Sequence, residues 1–109
     1  GQAVVVAAGR VLAVEAAEGT DAMLARCAAL RAAGRARAKG PAGVLVKLPK
    51  DGQDRRTDLP VVGLRTVEAA IAAGLKGIAV AAGGTIVVER ADAVAAADAA
   101  GLFLEGIAP

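Results

Sequence analysis

The 109-residue chain contains no His, Ser, Asn, Tyr or Trp, and these absences exclude several kinds of site. A Ser-His-Asp triad, a histidine general base and a His-ligated zinc or iron centre cannot be built from this sequence. Phe103 is the single aromatic side chain, so base stacking on aromatic rings is excluded as a mode of nucleic-acid binding. Any chemistry must come from the 6 Asp, 5 Glu, 9 Arg and 4 Lys, and a hard metal ion is the expected cofactor.

The chain also has a single cysteine, a small net charge and no long apolar run. Cys27 is the only cysteine, and its spacing from Met23 and Leu30 predicts a buried position on a helix. The net charge of +2 is too small to indicate a nucleic-acid partner. No apolar run approaches the roughly 18 residues that span a bilayer, and no signal peptide opens the chain, so we expect a cytoplasmic protein. Because the chain opens at Gly1 in an apolar run, we expect it to be a piece of a longer protein.

Alanine is the most frequent residue of the chain, with 30 Ala among the hydrophobic residues. We therefore expect one core built from small side chains. The pattern predicts a single α/β or α+β domain, a mixed β-sheet covered by about three helices. Thr20 or Asp21 is the predicted N-cap of the first helix. Predicted strands are 2–7, 10–16, 44–48, 77–81, 85–88 and 102–104, with hairpin turns at 8–9 and 83–84; predicted helices are 20–33, 66–74 and 91–101.

The segment 49–60 is the one stretch that hydrophobic periodicity does not explain. It carries six charged side chains and one large apolar residue, Leu59. Long polar loops in small domains are often functional, and these residue types suit a phosphate diester or anhydride with a divalent cation. A solvated turn with local Asp–Arg pairs is the alternative, and the residues alone favour neither interpretation.

Lys47 and an acidic turn are further candidates. Lys47 leaves an apolar strand just before the polar segment and could place a charge on a phosphate, although the residues alone favour a lysine that extends to solvent from a sheet edge. Glu15, Glu18 and Asp21 could supply a second set of carboxylates. Helix capping and favourable charge at a helix N-terminus also account for Asp21 and Glu18.

Three segments, in this order, carry a family resemblance: VEAAEGTDAML at 14–24, GVLVK at 43–47 and QDRRTDLPVVG at 53–63. Similar stretches at 66–69, 73–75 and 101–103 extend the resemblance over nearly the whole chain. Together they resemble the C-terminal domain of the LpxI-type UDP-2,3-diacylglucosamine pyrophosphatases of lipid A biosynthesis.

The resemblance implies a Mg²⁺-dependent enzyme of Gram-negative bacteria, cytoplasmic and peripheral to the inner membrane. Such an enzyme hydrolyses a lipid-linked UDP-sugar to 2,3-diacylglucosamine 1-phosphate and UMP, with water attacking the α-phosphate. The family's catalytic aspartate falls on Asp58 and its motif arginine on Arg56, while Asp54 suits metal or water contact. Asp58 and Asp54 are thus the predicted catalytic and metal-binding residues, and the predicted substrate-binding residues are Lys47, Gln53, Arg56, Thr66, Glu18 and Asp21.

The family also carries an N-terminal domain, so the resemblance implies that residues 1–109 are the C-terminal catalytic domain of a two-domain enzyme. The lipid site is then expected between the domains, where ligand clefts commonly form. Two alternatives stay open: a module that binds phosphate or nucleotide without activity of its own, and a structural domain that forms a homodimer through Ala-rich helix faces.

Overall fold

The fold is known from a computed structural model, which describes residues 2–16, 18–32, 42–48, 61–81 and 86–107. Within these residues the chain forms seven strands and three helices. In chain order they are β1 (Gln2–Ala7), β2 (Arg10–Val14), α1 (Thr20–Ala32), β3 (Val44–Leu48), β4 (Val61–Val62), α2 (Leu64–Ala72), β5 (Gly77–Ala81), β6 (Ile86–Val87), α3 (Arg90–Ala100) and β7 (Phe103–Ile107).

Five of the strands form one mixed sheet in the order β2-β1-β3-β5-β7. β1 is antiparallel to both β2 and β3, whereas β3, β5 and β7 are parallel to one another. Pairing therefore changes from antiparallel to parallel at the central strand, β3. The predicted α/β class, with a mixed sheet and three helices, is confirmed.

The helices pack on one another and against the sheet, with α2 contacting both α1 and α3. Crossovers between parallel strands are almost always right-handed, and both crossovers here step in the same direction, from β3 to β5 and from β5 to β7. Two such steps place α2 and α3 on the same face of the sheet, and the core forms beneath them. The other face carries a valine-rich surface on which Val11 and Val14 are exposed.

The core is built from in-register neighbours on the helix-covered face. Val5, Leu45 and Ile78 form one row across β1, β3 and β5, and all three are fully buried. The side chains of α1 that complete this cluster are Met23, Leu24 and Cys27. The predicted burial of Cys27 is confirmed, and burial raises the pKa of its thiol.

The hairpin predicted at the start of the chain is confirmed. Ala7 pairs with Arg10, and the two turn residues between them, Ala8 and Gly9, both have positive φ, 52° and 77°. Two consecutive positive φ angles are typical of a type I′ turn, whose twist matches that of the strands it joins. Ala8 thus occupies a conformation that L-residues with a Cβ rarely adopt.

The second predicted hairpin, at Gly83-Gly84, is wrong. β5 lies in the five-stranded sheet, whereas β6 pairs in parallel with β4 in a separate two-stranded sheet; residues 82–85 themselves lie outside the described part. The backbone N–H of Val88 extends this pairing by donating to the Val62 carbonyl at 2.9 Å. Gly63 is the residue directly after β4. A Cβ at this position would lie 2.5 Å from Val88 Cγ2, so only glycine fits there without movement of the valine side chain.

Helix boundaries differ little from the predicted ones. α2 begins at Leu64 rather than Thr66, and Gly74, with φ of 74°, follows its last turn as predicted. Arg31, near the end of α1, donates to the Gly74 carbonyl at 2.6 Å and ties the two helix ends together. Across the described ranges, no helix is both long enough and apolar enough to cross a membrane.

Candidate functional site: a polar cavity at the carboxyl end of β3

A polar cavity of about 320 Å³ lies where the carboxyl end of β3 meets the first turns of α1 and α2. Its lining residues are Glu18, Gly19, Thr20, Asp21, Lys47 and Thr66. Three segments far apart in the sequence thus converge on one space. Ligand sites of α/β proteins commonly lie at the carboxyl ends of parallel strands.

The turn before α1 shapes one wall of the cavity. Gly19 has φ of 90°, and its carbonyl accepts the first intrahelical hydrogen bond from the N–H of Met23 at 3.1 Å. Gly19 therefore occupies the N-cap position, and the prediction that Thr20 or Asp21 caps the helix is wrong. The Thr20 hydroxyl instead donates to the Glu15 carboxylate, because the turn brings that side chain back over the start of the helix.

Lys47 enters the cavity from the sheet. It lies on the helix-covered face, in register with Ala3 on β1, and is partly buried. Burial lowers the pKa of the Lys47 ammonium, and the carboxylates of Glu15 and then Asp21 act in the opposite direction. The two acids therefore help to keep a cation in a place where desolvation disfavours it.

Asp21 also joins the two helices that border the cavity. The buried Thr66 hydroxyl of α2 donates to Asp21 Oδ1 over 3.5 Å, at the long limit of a hydrogen bond. Asp21 lies in the first turn of α1, where a negative charge interacts favourably with the helix dipole. This carboxylate thus links α1, α2 and the lysine of β3.

Glu18 stands at the outer rim. It forms an ion pair of 2.5 Å with Arg26, whose guanidinium also donates to the Val14 carbonyl at 3.1 Å. Both side chains are substantially exposed, so the pair contributes little to stability. Its effect is to hold the acidic turn against the edge of the sheet.

Of the predicted site residues, the structure brings four to this cavity: Lys47, Thr66, Glu18 and Asp21. The other predicted positions, Gln53, Asp54, Arg56 and Asp58, fall in the segment 49–60 and lie outside the described residues. That segment joins β3 to β4, and the cavity residues nearest to it in the chain are Lys47 and Thr66.

The sequence did not predict the role of Thr20 in the cavity, and it left the role of Glu15 undecided. Both side chains act through the Gly19 turn, and the Glu-Gly-Thr-Asp run after an apolar strand was the signal for it. No cluster of three or more metal-binding side chains occurs within the described ranges. The predicted Mg²⁺ ligands Asp54 and Asp58 lie outside these ranges.

Fold and cavity together define a single α/β domain that gathers a lysine, carboxylates and hydroxyls at the end of its central strand. The chain belongs to the LpxI C-terminal domain family, which matches residues 1–105. It is 53% identical to the UDP-2,3-diacylglucosamine pyrophosphatase LpxI of Caulobacter vibrioides over 109 residues. That match covers 100% of this chain and 39% of the relative, so the chain spans well under half of the length of that protein.

Proposed function

We propose that this chain is the C-terminal catalytic domain of a two-domain UDP-2,3-diacylglucosamine pyrophosphatase of lipid A biosynthesis. The observation that carries the proposal is the 53% identity over the full length of the chain to a protein of that name. The reaction is hydrolysis of the pyrophosphate to 2,3-diacylglucosamine 1-phosphate and UMP. Because the substrate is a lipid, the proposed location is the cytoplasmic side of the inner membrane, with peripheral attachment.

The polar cavity is the proposed place of the diphosphate. The Lys47 ammonium supplies a positive charge to phosphate oxygens. The Thr66 hydroxyl lines the same cavity, and on substrate binding it would turn its one proton from the long bond to Asp21 to a phosphate oxygen. Glu15 and Asp21 keep Lys47 charged rather than touching the phosphates, which their own charge would repel. Arg56 and Gln53 are proposed to complete the substrate contacts, and Glu18 to hold the rim.

Asp58 and Asp54 are proposed to position the attacking water and to bind Mg²⁺. When bound, Mg²⁺ polarises a phosphoryl oxygen and lowers the pKa of bound water. Support for these roles comes from the family motif that these residues share, and their segment directly follows the strand that carries Lys47.

The test uses a hybrid enzyme in which this chain replaces the matching segment of the Caulobacter protein. We expect the hybrid enzyme to hydrolyse UDP-2,3-diacylglucosamine, as followed by release of UMP. Asp58→Ala is expected to lower kcat by at least about a hundred-fold, the usual effect of losing one positioned acid–base group, while substrate still binds. Activity of Asp58→Ala within a few-fold of the parent would end the proposed role of this residue.

Arg56 and Arg55 form a matched pair in the same segment. Arg56→Ala is expected to raise KM and lower kcat, since an arginine on a phosphate acts in the ground state and the transition state alike. Arg55→Ala, with the same loss of charge, is expected to change neither by more than a few-fold. Equal damage from both would mean that the segment needs only positive charge.

A further inference from the structure

A row of three residues crosses the sheet beside the polar cavity. The backbone N–H of Glu15 donates to the Ala3 carbonyl at 2.9 Å, which extends the pairing of β2 with β1 by one residue beyond Val14. On its other side, Ala3 pairs with Lys47 of β3. Partners in register lie on the same face of a sheet, so Glu15 and Lys47 both lie on the helix-covered face, with Ala3 between them.

The small side chain of Ala3 leaves room for the two long side chains to approach each other. Neighbouring strands are about 4.8 Å apart, so roughly twice that distance separates the backbones of Glu15 and Lys47. Ala3 is buried and contributes only a methyl group to the space between them. A carboxylate and an ammonium can therefore extend over this methyl group from opposite sides.

Thr20 fixes the Glu15 carboxylate from the helix side. It is the first residue of α1, it is buried, and its hydroxyl donates to that carboxylate. An ionised carboxylate accepts several hydrogen bonds, so the bond from Thr20 leaves capacity for a second donor. Thr20 and Lys47 line the polar cavity, whereas Glu15 is not among its lining residues. Glu15 thus lies behind the cavity wall, where it can act on Lys47 without contacting a ligand.

Of the acids near Lys47, Glu15 has the greatest effect on it. Burial lowers the pKa of the Lys47 ammonium, and Glu15 opposes this shift more strongly than Asp21 does. Asp21 accepts a hydrogen bond from Thr66 and so belongs to the contact between α1 and α2. The remaining neighbours from the described elements are Ala3 on β1, Val80 on β5 and Thr66 on α2, all uncharged, and Glu18 at the rim, which pairs with Arg26.

We propose that Glu15 is a positioning residue: its carboxylate, fixed by Thr20, reaches over Ala3 and directs the Lys47 ammonium toward the diphosphate. This inference rests on the proposed function. The two acids then have separate tasks, since Glu15 acts on the lysine from the sheet and Asp21 joins the helices. Without Glu15, Lys47 would still line the cavity, but it would lose its proton at a lower pH and would lack a fixed direction.

The test uses Glu15→Gln in the hybrid enzyme, because glutamine keeps the length of the side chain and an acceptor for Thr20 but removes the charge. We expect the alkaline limb of the pH profile of kcat/KM, which reports groups of the free enzyme, to move to lower pH. On that limb kcat/KM should fall by at least about five-fold, because an adjacent opposite charge strongly favours the protonated lysine. At neutral pH the loss should be smaller, because glutamine can still accept a hydrogen bond from the ammonium.

Two further variants serve as control and as rescue. Glu68→Gln makes the same change at an exposed position of α2 that does not line the cavity, and it should leave the pH profile unchanged. Glu15→Asp keeps the charge on a shorter side chain, so its alkaline limb should lie between those of the parent and Glu15→Gln. Equal losses of activity at every pH, with an unmoved alkaline limb, would give Glu15 only a structural role in the turn and would overturn the proposal. If Glu15→Gln does not fold, Glu15→Asp takes its place, with a small shift of the limb to lower pH as the expected result and an unmoved limb as the contrary one.

Titration of ¹³C-methylated Lys47 by NMR distinguishes failure of this inference from failure of the proposed function. Glu15→Gln should lower the pKa of Lys47, and by more than Asp21→Asn does, whether or not the hybrid enzyme hydrolyses UDP-2,3-diacylglucosamine. If hydrolysis fails and the pKa still falls, the proposed function is contradicted, while the action of Glu15 on Lys47 is supported. An unchanged pKa of Lys47 in Glu15→Gln would overturn the proposal even in an active enzyme.

Discussion

Ala8 is held in the left-handed region of backbone space by the type I′ turn that joins β1 to β2. A Cβ in this conformation costs roughly 1–2 kcal/mol, and asparagine followed by glycine is the pair best suited to such a turn. We expect Ala8→Asn to raise the free energy of unfolding by about 0.5–1 kcal/mol, measured by urea denaturation. Ala8→Val, which is β-branched, should lower it; stabilisation by valine would contradict the turn assignment.

The pKa of Lys47 depends on the carboxylates beside it, and this dependence can be tested. Burial lowers its pKa and the charges of Glu15 and Asp21 oppose the shift, so Asp21→Asn should lower the pKa of Lys47 further. Titration of ¹³C-methylated lysines by NMR measures this change. Asp92→Asn, at the start of α3, is the control with the same loss of charge. A rise in the Lys47 midpoint with Asp21→Asn would show that the carboxylate does not act on this lysine.

The lowered pKa of Lys47 also determines whether its contribution to the free energy of unfolding rises or falls with pH. Between the lowered pKa of folded Lys47 and its ordinary value of 10.5, the unfolded chain binds more protons than the folded one. The contribution of this lysine to the free energy of unfolding therefore rises with pH across that window. The Lys47→Met variant lacks this contribution, so its free energy of unfolding, measured by urea denaturation at alkaline pH, should rise less with pH. An unchanged pH dependence would contradict the prediction.

At the level of single residues the sequence was informative where spacing carries the signal. Helical spacing predicted the burial of Cys27, which is confirmed. The family resemblance predicted that Lys47, Thr66 and Asp21 bind substrate; all three line the polar cavity, and their role there stays a prediction. The Thr20–Glu15 contact could not be predicted, because it depends on the positive φ of Gly19, which moves the cap one residue back. Side-chain pairing of this kind follows from backbone geometry that residue types alone do not specify.

Phe103, at the start of β7, lies over Gly77 of β5, its partner in register. A Cβ on Gly77 would overlap the ring, so glycine is needed beneath the aromatic side chain. Gly77→Ala is expected to destabilise the domain by about 1–3 kcal/mol through overpacking. In a Phe103→Ala background the same change should cost markedly less, as a double-mutant cycle measures; equal costs in both backgrounds would exclude the contact as the cause.

Elements with strong local patterns were predictable, and elements defined by distant partners were not. β1 and β2 alternate around a turn, and Gly74 and Gly101, both with positive φ, follow α2 and α3 where helix ends were predicted. β4 and β6 span two residues each, too few for a periodic signal, and they pair with each other across the whole of α2 and β5. The Gly83-Gly84 dipeptide between two predicted strands favoured a local hairpin, but β5 pairs instead with its parallel neighbours β3 and β7.

For the whole molecule, we expect the 109-residue chain to unfold in one cooperative transition and yet to be a poor catalyst by itself. The sheet and helices share one core, so no part is expected to unfold separately. Hydrolysis needs the diphosphate held to within a fraction of an ångström, and this chain spans 39% of its relative. Calorimetry and a UMP-release assay test both statements; rates equal to those of the hybrid enzyme would place the entire site within this chain.

The change from antiparallel to parallel pairing at β3 also has a kinetic consequence. β1 and β2 meet across a two-residue turn, whereas β3 must wait for a long crossover before it meets β5, and closing long loops slows folding. We therefore expect the antiparallel half to be structured in the folding transition state and the parallel half to form later. Stopped-flow measurements should then find that Ala8→Asn acts mainly by accelerating folding, whereas Gly77→Ala acts mainly by accelerating unfolding. The opposite assignment of the two rate changes would mean that the crossovers, and not the hairpin, nucleate this domain.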